Sequence, residues 1–256
     1  MAENAERFCA AVAGYLSEEL PIACEYVSEG LWQERERLFD AGAIQILWLC
    51  GLPYVEKADR KTVDMELLAV PVPAGARYRS RPVYFSDIIV RRESPYRSLL
   101  DLRGAVWAYN EPRSHSGYNM VRAHLAELAQ HRHFFGETIE SGAHSASVEM
   151  VLSGKVDGAA IDSTVLEWLF AADGGRSARL RVIETLGPSP IPPWVISQRV
   201  AEPLRAAVRA ALLRMGRNAG GRAILQQAGM ERFTEAADRD YDPIRRMARA
   251  AERVTL

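Results

Sequence analysis

The chain has 256 residues and a formal net charge of −1, with 48% hydrophobic and 25% charged residues. That length can bury a full core and suits one large α/β unit or two small lobes, while the interspersed charges exclude a field that would hold nucleic acid or an anionic membrane. Three cysteines, Cys9, Cys24 and Cys50, stand far apart without a CxxC, which argues against a zinc site or a disulfide framework, and the longest apolar stretch, 41–55, is too short to cross a bilayer.

The opening residues, Met1-Ala2-Glu3-Asn4-Ala5-Glu6-Arg7, lack the basic region and apolar run of an export signal. A cytoplasmic protein, or a leader outside the given sequence, are the two expectations that follow. Phe8, Ala11, Val12, Tyr15 and Leu16 then make a helix stripe that ends before Pro21. Residues 22–27 read as a strand, and 31–39 as a second helix stopped by Asp40-Ala41-Gly42. Residues 44–50 form a nearly continuous apolar strand, as parallel strands covered on both faces do. The turn after it, Gly51-Leu52-Pro53-Tyr54, puts Tyr54 just beyond a strand's carboxyl end, where open α/β sheets bind ligands. A tyrosine that merely packs a loop is the plain alternative.

Residues 66–70 are expected as another strand, 71–82 as a Pro/Gly-rich loop, and 83–90 as extended chain with Tyr84 near its start. A strand at 105–109 leads into Asn110-Glu111-Pro112-Arg113-Ser114-His115-Ser116-Gly117-Tyr118, and Val121, Leu125 and Leu128 then repeat at helical spacing. The run is therefore a strand-to-helix turn. Unpaired N–H groups, the positive end of a helix dipole, two serine hydroxyls and a histidine furnish it for a small anion. A plain N-cap is the competing reading, although no Glu or Gln stands three residues after Ser114 or Ser116 to complete a capping box.

A short strand at 137–140 reaches a second such turn carrying His144, ahead of a helix with Val148, Val151 and Leu152. The strand at 156–161 ends in Asp162, which is either a ligand contact or the N-cap of the next helix. Residues 180–185 read as a strand and 187–194 as a proline-stiffened crossing, followed by a helical tail. The alternation implies parallel sheets, whose carboxyl ends would bring Tyr54, Ser114–Ser116, His144 and Asp162 to one cleft.

The pieces Asp101-Leu102-Arg103-Gly104, Ser114-His115-Ser116-Gly117-Tyr118, Gly142-Ala143-His144-Ser145-Ala146-Ser147-Val148 and Val156-Asp157-Gly158-Ala159-Ala160-Ile161-Asp162-Ser163 together resemble the phosphate/phosphonate substrate-binding proteins of ABC transporters. The resemblance runs from about Ala5 onward. It implies a two-lobed α/β fold of the type II periplasmic-binding-protein kind, with the ligand in the cleft between the lobes. On that pattern lobe 1 is discontinuous, residues 1–86 and 188–256, and lobe 2 is residues 87–187. It also implies that Ser114, His115 and Ser116 grip an oxyanion, that Tyr54 and Tyr84 line the pocket, that His144 donates to an anion oxygen, and that Asp162 faces a protonated oxygen or an amine.

Three departures from the family stand out: His115 in place of a small hydroxyl residue, the absence of the strand that precedes the first helix, and a bulky Pro192-Pro193-Trp194 crossing. The implied role is a monomeric, non-enzymatic carrier of a small oxyanion serving a transporter permease, periplasmic or extracytoplasmic, without cofactor or metal. A cytoplasmic enzyme or an effector sensor on the same fold is the alternative. Ser116, His144 and Asp162 are of hydrolase-triad type, but no GxSxG elbow is present. His124, His131 and His133 lack an acidic or cysteine partner at ligand spacing.

Overall fold

The computed structural model describes residues 3–61, 63–130 and 133–256. Its elements begin with α1 (Glu3–Glu19), α2 (Trp32–Ala41), β1 (Ile46–Trp48), α3 (Gly51–Arg60), β2 (Met65–Pro73) and β3 (Val83–Arg91). There follow β4 (Val106–Tyr109), a π-helical turn (His115–Asn119), α4 (Met120–Glu127), β5 (Glu137–Glu140), α5 (His144–Ser153), β6 (Gly158–Asp162), α6 (Ser163–Ala172) and α7 (Gly174–Arg179). The last are β7 (Leu180–Pro190), β8 (Trp194–Ser197), α8 (Glu202–Arg214), α9 (Ala219–Gln227), β9 (Met230–Thr234) and α10 (Asp242–Ala251). Two compact units result: Glu3–Val83 with Pro190–Asp242, and Tyr84–Ser189 with Pro243–Leu256.

The first unit is built on a four-stranded sheet in the order β1-β8-β2-β9. Phe8, Val12, Tyr15 and Leu16 fall on one stripe of α1 and pack with Val208 and Leu212 of α8 over Leu68, Trp194 and Phe233 of the sheet. The pairings β1–β8, β2–β8 and β2–β9 are all antiparallel, so the parallel sheet expected here is corrected. β2 also runs on through what reads as a proline loop. Its first half pairs with β8 and its second half with β9. Beyond Ala69 it thus has a ladder on one side only, and an edge position tolerates the missing N–H of Pro71 and Pro73.

Residues 22–27, expected as a strand, belong to neither sheet. The Cys24 N–H donates to Ser17 Oγ at 2.7 Å and its carbonyl accepts from the same hydroxyl at 3.1 Å, so a helix side chain satisfies what a neighbouring strand would have. A cavity of about 430 Å³ lies beside β1, lined in part by Cys24, Tyr26, Ile46 and Trp48.

The second unit carries a five-stranded sheet ordered β5-β4-β6-β3-β7. β4 runs parallel to its neighbours β5 and β6, and β3 lies antiparallel to β6. The pleat of β3 sends Ile88 and Val90 to one face, with Trp107, Val121 and Leu125, and Ile89 to the other, with Ala108, Val148 and Val151. Val254 and Leu256 join the first of these faces, and Arg122 Nε donates to the Val254 carbonyl at 2.7 Å. The tail therefore packs with the second unit, whereas the resemblance implies that all of 188–256 belongs to the first lobe.

Candidate anion-binding site

β4 delivers the chain to a buried Asn110, and the turn after it is capped by its own serine. Ser114 adopts extended backbone (φ −69, ψ 128), and its Oγ accepts from the Gly117 N–H at 3.0 Å. The N-cap reading thus holds for Ser114, whose hydroxyl proton remains to be donated elsewhere. The helix then opens as a π turn, with the Asn119 N–H reaching the Ser114 carbonyl at 3.0 Å. Spacing the first bonds five residues apart leaves one more amide unpaired than an α start would.

Ser116 is anchored from behind and engaged from the side. Ser86 Oγ donates to its carbonyl at 2.8 Å, and its own Oγ lies 3.2 Å from His144 Nε2. His144 is the first residue of α5, and Ala143 before it supplies no side-chain cap. Two helix starts therefore meet at one serine–histidine contact. Gly117 makes room for it: a Cβ there would collide with Asn110 Oδ1 and come within 3.1 Å of His144 Cε1. Asn110 Oδ1 and His144 Nδ1 are both buried without a hydrogen-bond partner among the described residues. Burial pushes the His144 pKa down to about 4, so its ring is neutral near pH 7.

Asp162 caps α6, its Oδ1 accepting from Thr164 N–H at 2.8 Å and from Thr164 Oγ1 at 2.7 Å. It stands directly opposite Ser86 in the β3–β6 register, hence on the face where Ser86 holds the turn. Burial raises its pKa to about 6, against the pull of the Thr164 bonds. His115 is fully buried, with Nε2 2.8 Å from Ser189 Oγ and Nδ1 3.1 Å from Asn119 Nδ2. Tyr84 is buried with its ring 6.4 Å from that of His115. Tyr54, in the first turn of α3 and so in the first unit, donates to Asp238 Oδ1 at 3.0 Å and packs 4.6 Å from the Tyr241 ring.

Of the seven residues singled out in the sequence, the second unit thus brings Ser114, Ser116 and His144 together, with Asp162 on the adjoining strand position and His115 and Tyr84 behind. Ser86, Asn110, Asn119 and Ser189 escaped sequence reasoning. Ser86-Asp87 could have been noticed, since two polar residues interrupt an otherwise apolar strand. Of the three histidines weighed as metal ligands, His131 lies outside the described residues, and His124 binds Glu184 at 2.8 Å. Among the described residues no group of three His, Cys, Asp or Glu could hold a metal ion, and no helix is long and apolar enough to cross a membrane.

A family model described as "ABC transporter, phosphonate, periplasmic substrate-binding protein" matches residues 2–241. The phosphonates-binding periplasmic protein of Escherichia coli (strain K12) is 24% identical over 210 residues, which are 80% of this chain and 60% of that one. The chain thus spans less than two thirds of that curated relative. Among solved structures, a binding protein component of an ABC phosphonate transporter from Pseudomonas aeruginosa superposes with a TM-score of 0.85 at 19% identity, covering 98% of this chain and 83% of that one. A protein from Prochlorococcus marinus, solved in complex with methylphosphonate, gives a TM-score of 0.85 at 18% identity over 98% of this chain and 94% of that one. These structures share the two-lobed α/β fold of type II periplasmic binding proteins.

Proposed function

Because this chain belongs to the family of periplasmic substrate-binding proteins of phosphonate ABC transporters, we propose that it binds a phosphonate or a similarly small oxyanion and presents it to a transporter permease. The observation that carries this reading is the pairing of two helix starts through Ser116 and His144. Hydroxyl protons at Ser114 and Ser116, the first amides of two helices and two dipole ends converge there. Neutral donors of this kind hold an anion without the desolvation cost of burying a cation beside it. His144 donates as a neutral ring, and Asp162, protonated or facing a ligand proton, discriminates among protonation states. Tyr84 and Tyr54 are proposed as further ligand contacts, each tested by its phenylalanine variant.

The same groups are poorly arranged for catalysis. A serine–histidine pair needs a third group to orient the ring, yet Asp162 Oδ1 is engaged by Thr164 and His144 Nδ1 has no hydrogen-bond partner among the described residues. Binding without turnover, as a monomer in the periplasm or its equivalent, is the proposed behaviour. Calorimetric titration of the protein with methylphosphonate, inorganic phosphate and sulfate tests it: saturable binding of the first or second supports it. No heat and no thermal stabilisation with any of them at millimolar concentration would overturn it.

A further inference from the structure

His115 behaves unlike the two serines that flank it. Its side chain has no exposed surface, and both ring nitrogens are engaged inside the second unit, by Ser189 and by Asn119. An amide nitrogen only donates, so Nδ1 accepts from Asn119, and the ring proton sits on Nε2 and is donated to Ser189 Oγ. Burial pushes the ring's pKa down to about 3, which keeps this pattern of one donor and one acceptor intact over the ordinary pH range.

The partners matter as much as the bonds. Asn119 closes the π turn, and its own amide holds the Ser114 carbonyl. Ser189 lies near the end of β7, outside the turn altogether. The imidazole therefore ties both ends of the turn to the sheet, while Ser86 ties its middle through the Ser116 carbonyl. Side chains at consecutive positions of a helix start diverge by about 100°. Drawing the 115 side chain inward thereby commits those at 114 and 116 to other directions.

We propose that His115 is a positioning residue, an inward latch between the turn and β7 that sets the aim of the Ser114 and Ser116 hydroxyls without touching the ligand. Its consequence for affinity rests on the anion-site reading given above, whereas the latch itself is a property of the empty protein. It also reassigns His115, which the sequence pattern places among the ligand contacts.

Ser189→Ala removes the far end of the latch and leaves every proposed ligand contact in place. In the empty protein, amide hydrogen exchange at Asn119 should quicken by about tenfold, with exchange in β4 and β6 unchanged. Affinity for methylphosphonate should fall about five- to tenfold, the worth of one hydrogen bond. The losses of Ser189→Ala and Ser116→Ala should combine to much less than their product, because a mis-aimed Ser116 has little left to lose. In nitrogen-labelled protein the His115 ring should show the Nε2–H tautomer with and without saturating methylphosphonate. Should Ser189→Ala fail to fold, Ser189→Cys keeps the shape with a weaker acceptor and carries the same expectations in lesser degree. Unchanged exchange at Asn119, or a His115 ring signal that moves on ligand addition, would overturn the latch. If the wild type binds no anion, the exchange and tautomer measurements still decide it, and only the functional reading falls.

Discussion

Ser116 Oγ and His144 Nε2 meet at 3.2 Å across 28 residues of chain, joining the first turn of one helix to the first residue of another. Neither side chain caps its own helix. Ser114 performs that task for the π turn, and Ala143, at the start of α5, cannot. A serine and a histidine freed from local capping, and facing each other across two helix starts, form an arrangement that local helix stability does not require.

Ser116→Ala and Ser114→Ala are therefore expected to behave differently. The first removes a donor to the anion and should weaken methylphosphonate binding roughly ten- to a hundred-fold, since a charge-assisted bond is worth about 1.5–3 kcal/mol. Its melting temperature without ligand should stay within about two degrees of wild type. Ser114→Ala should also cost about 0.5–2 kcal/mol of stability, because it removes the cap on the Gly117 amide. Calorimetric titrations and thermal melts on both variants check the contrast. Equal stability losses would remove it.

Gly117→Ala should be damaging in both measures. A methyl group there is driven into Asn110 Oδ1 and toward the His144 ring. Overpacking of this type costs about 1–3 kcal/mol. The displaced imidazole should also lower affinity for the anion by at least tenfold. Wild-type affinity in a folded Gly117→Ala protein would mean that the serine–histidine contact is dispensable.

Acid should destabilise the protein through its histidines. His115 and His144 are depressed by burial to about 3 and about 4 from 6.5. For groups whose folded pKa is lowered, the unfolded chain takes up protons first. Their stability contribution is full above pH 6.5 and is lost as pH falls toward 4 and then 3. Each contributes a slope of up to about 1.4 kcal/mol per pH unit within that window. His115→Gln should be less stable than wild type at pH 7 but flatter between pH 6.5 and 4.5 in denaturant titrations. Parallel pH profiles for the two proteins would show that His115 is not protonated preferentially on unfolding.

Asp162 works in the opposite sense. Its pKa is raised by burial from 3.8 to about 6, so the folded state holds the proton first. Its contribution is full below pH 3.8 and is lost as pH rises through 6. Above pH 6 the protein carries a poorly solvated carboxylate. Asp162→Asn keeps an oxygen to cap Thr164 and should be as stable as wild type or more so at pH 7.5. Anion affinity of the wild type should rise on acidification from pH 7 to 5.5 by more than in Asp162→Asn. Identical affinity profiles would place the carboxyl outside the site.

Much of this architecture was legible in the residues. The stripe of α1 at Phe8, Val12, Tyr15 and Leu16, the strand–turn–helix units around Ser114, His144 and Asp162, and the extended chain at Tyr84 all follow from local periodicity. β8 and β9 were not legible. Trp194–Ser197 hides behind prolines, and Met230–Thr234 has no alternation to read. Strand direction was equally out of reach, because antiparallel β3–β6 pairing depends on partners about 70 residues apart. The site was legible as a set of turns but not as a set of bonds. That His115 points inward depends on Ser189, which lies 74 residues away between two prolines and carries no local mark.

β1 bears on how the protein behaves when concentrated. The Gln45 carbonyl accepts from Ser197 of β8 and the Leu49 N–H donates to Pro193 just before it, so the alternating backbone groups of Ile46 and Trp48 look the other way, beside the cavity. A sheet edge without a strand neighbour among the described residues, next to such a hollow, is a template for strand exchange between molecules. The template is short, only three residues, which confines the danger to crowded solutions. Light scattering from stocks of increasing concentration should therefore reveal clumping well before heating does, and a lysine at Gln45 or Ile46 would be the simplest way to suppress it.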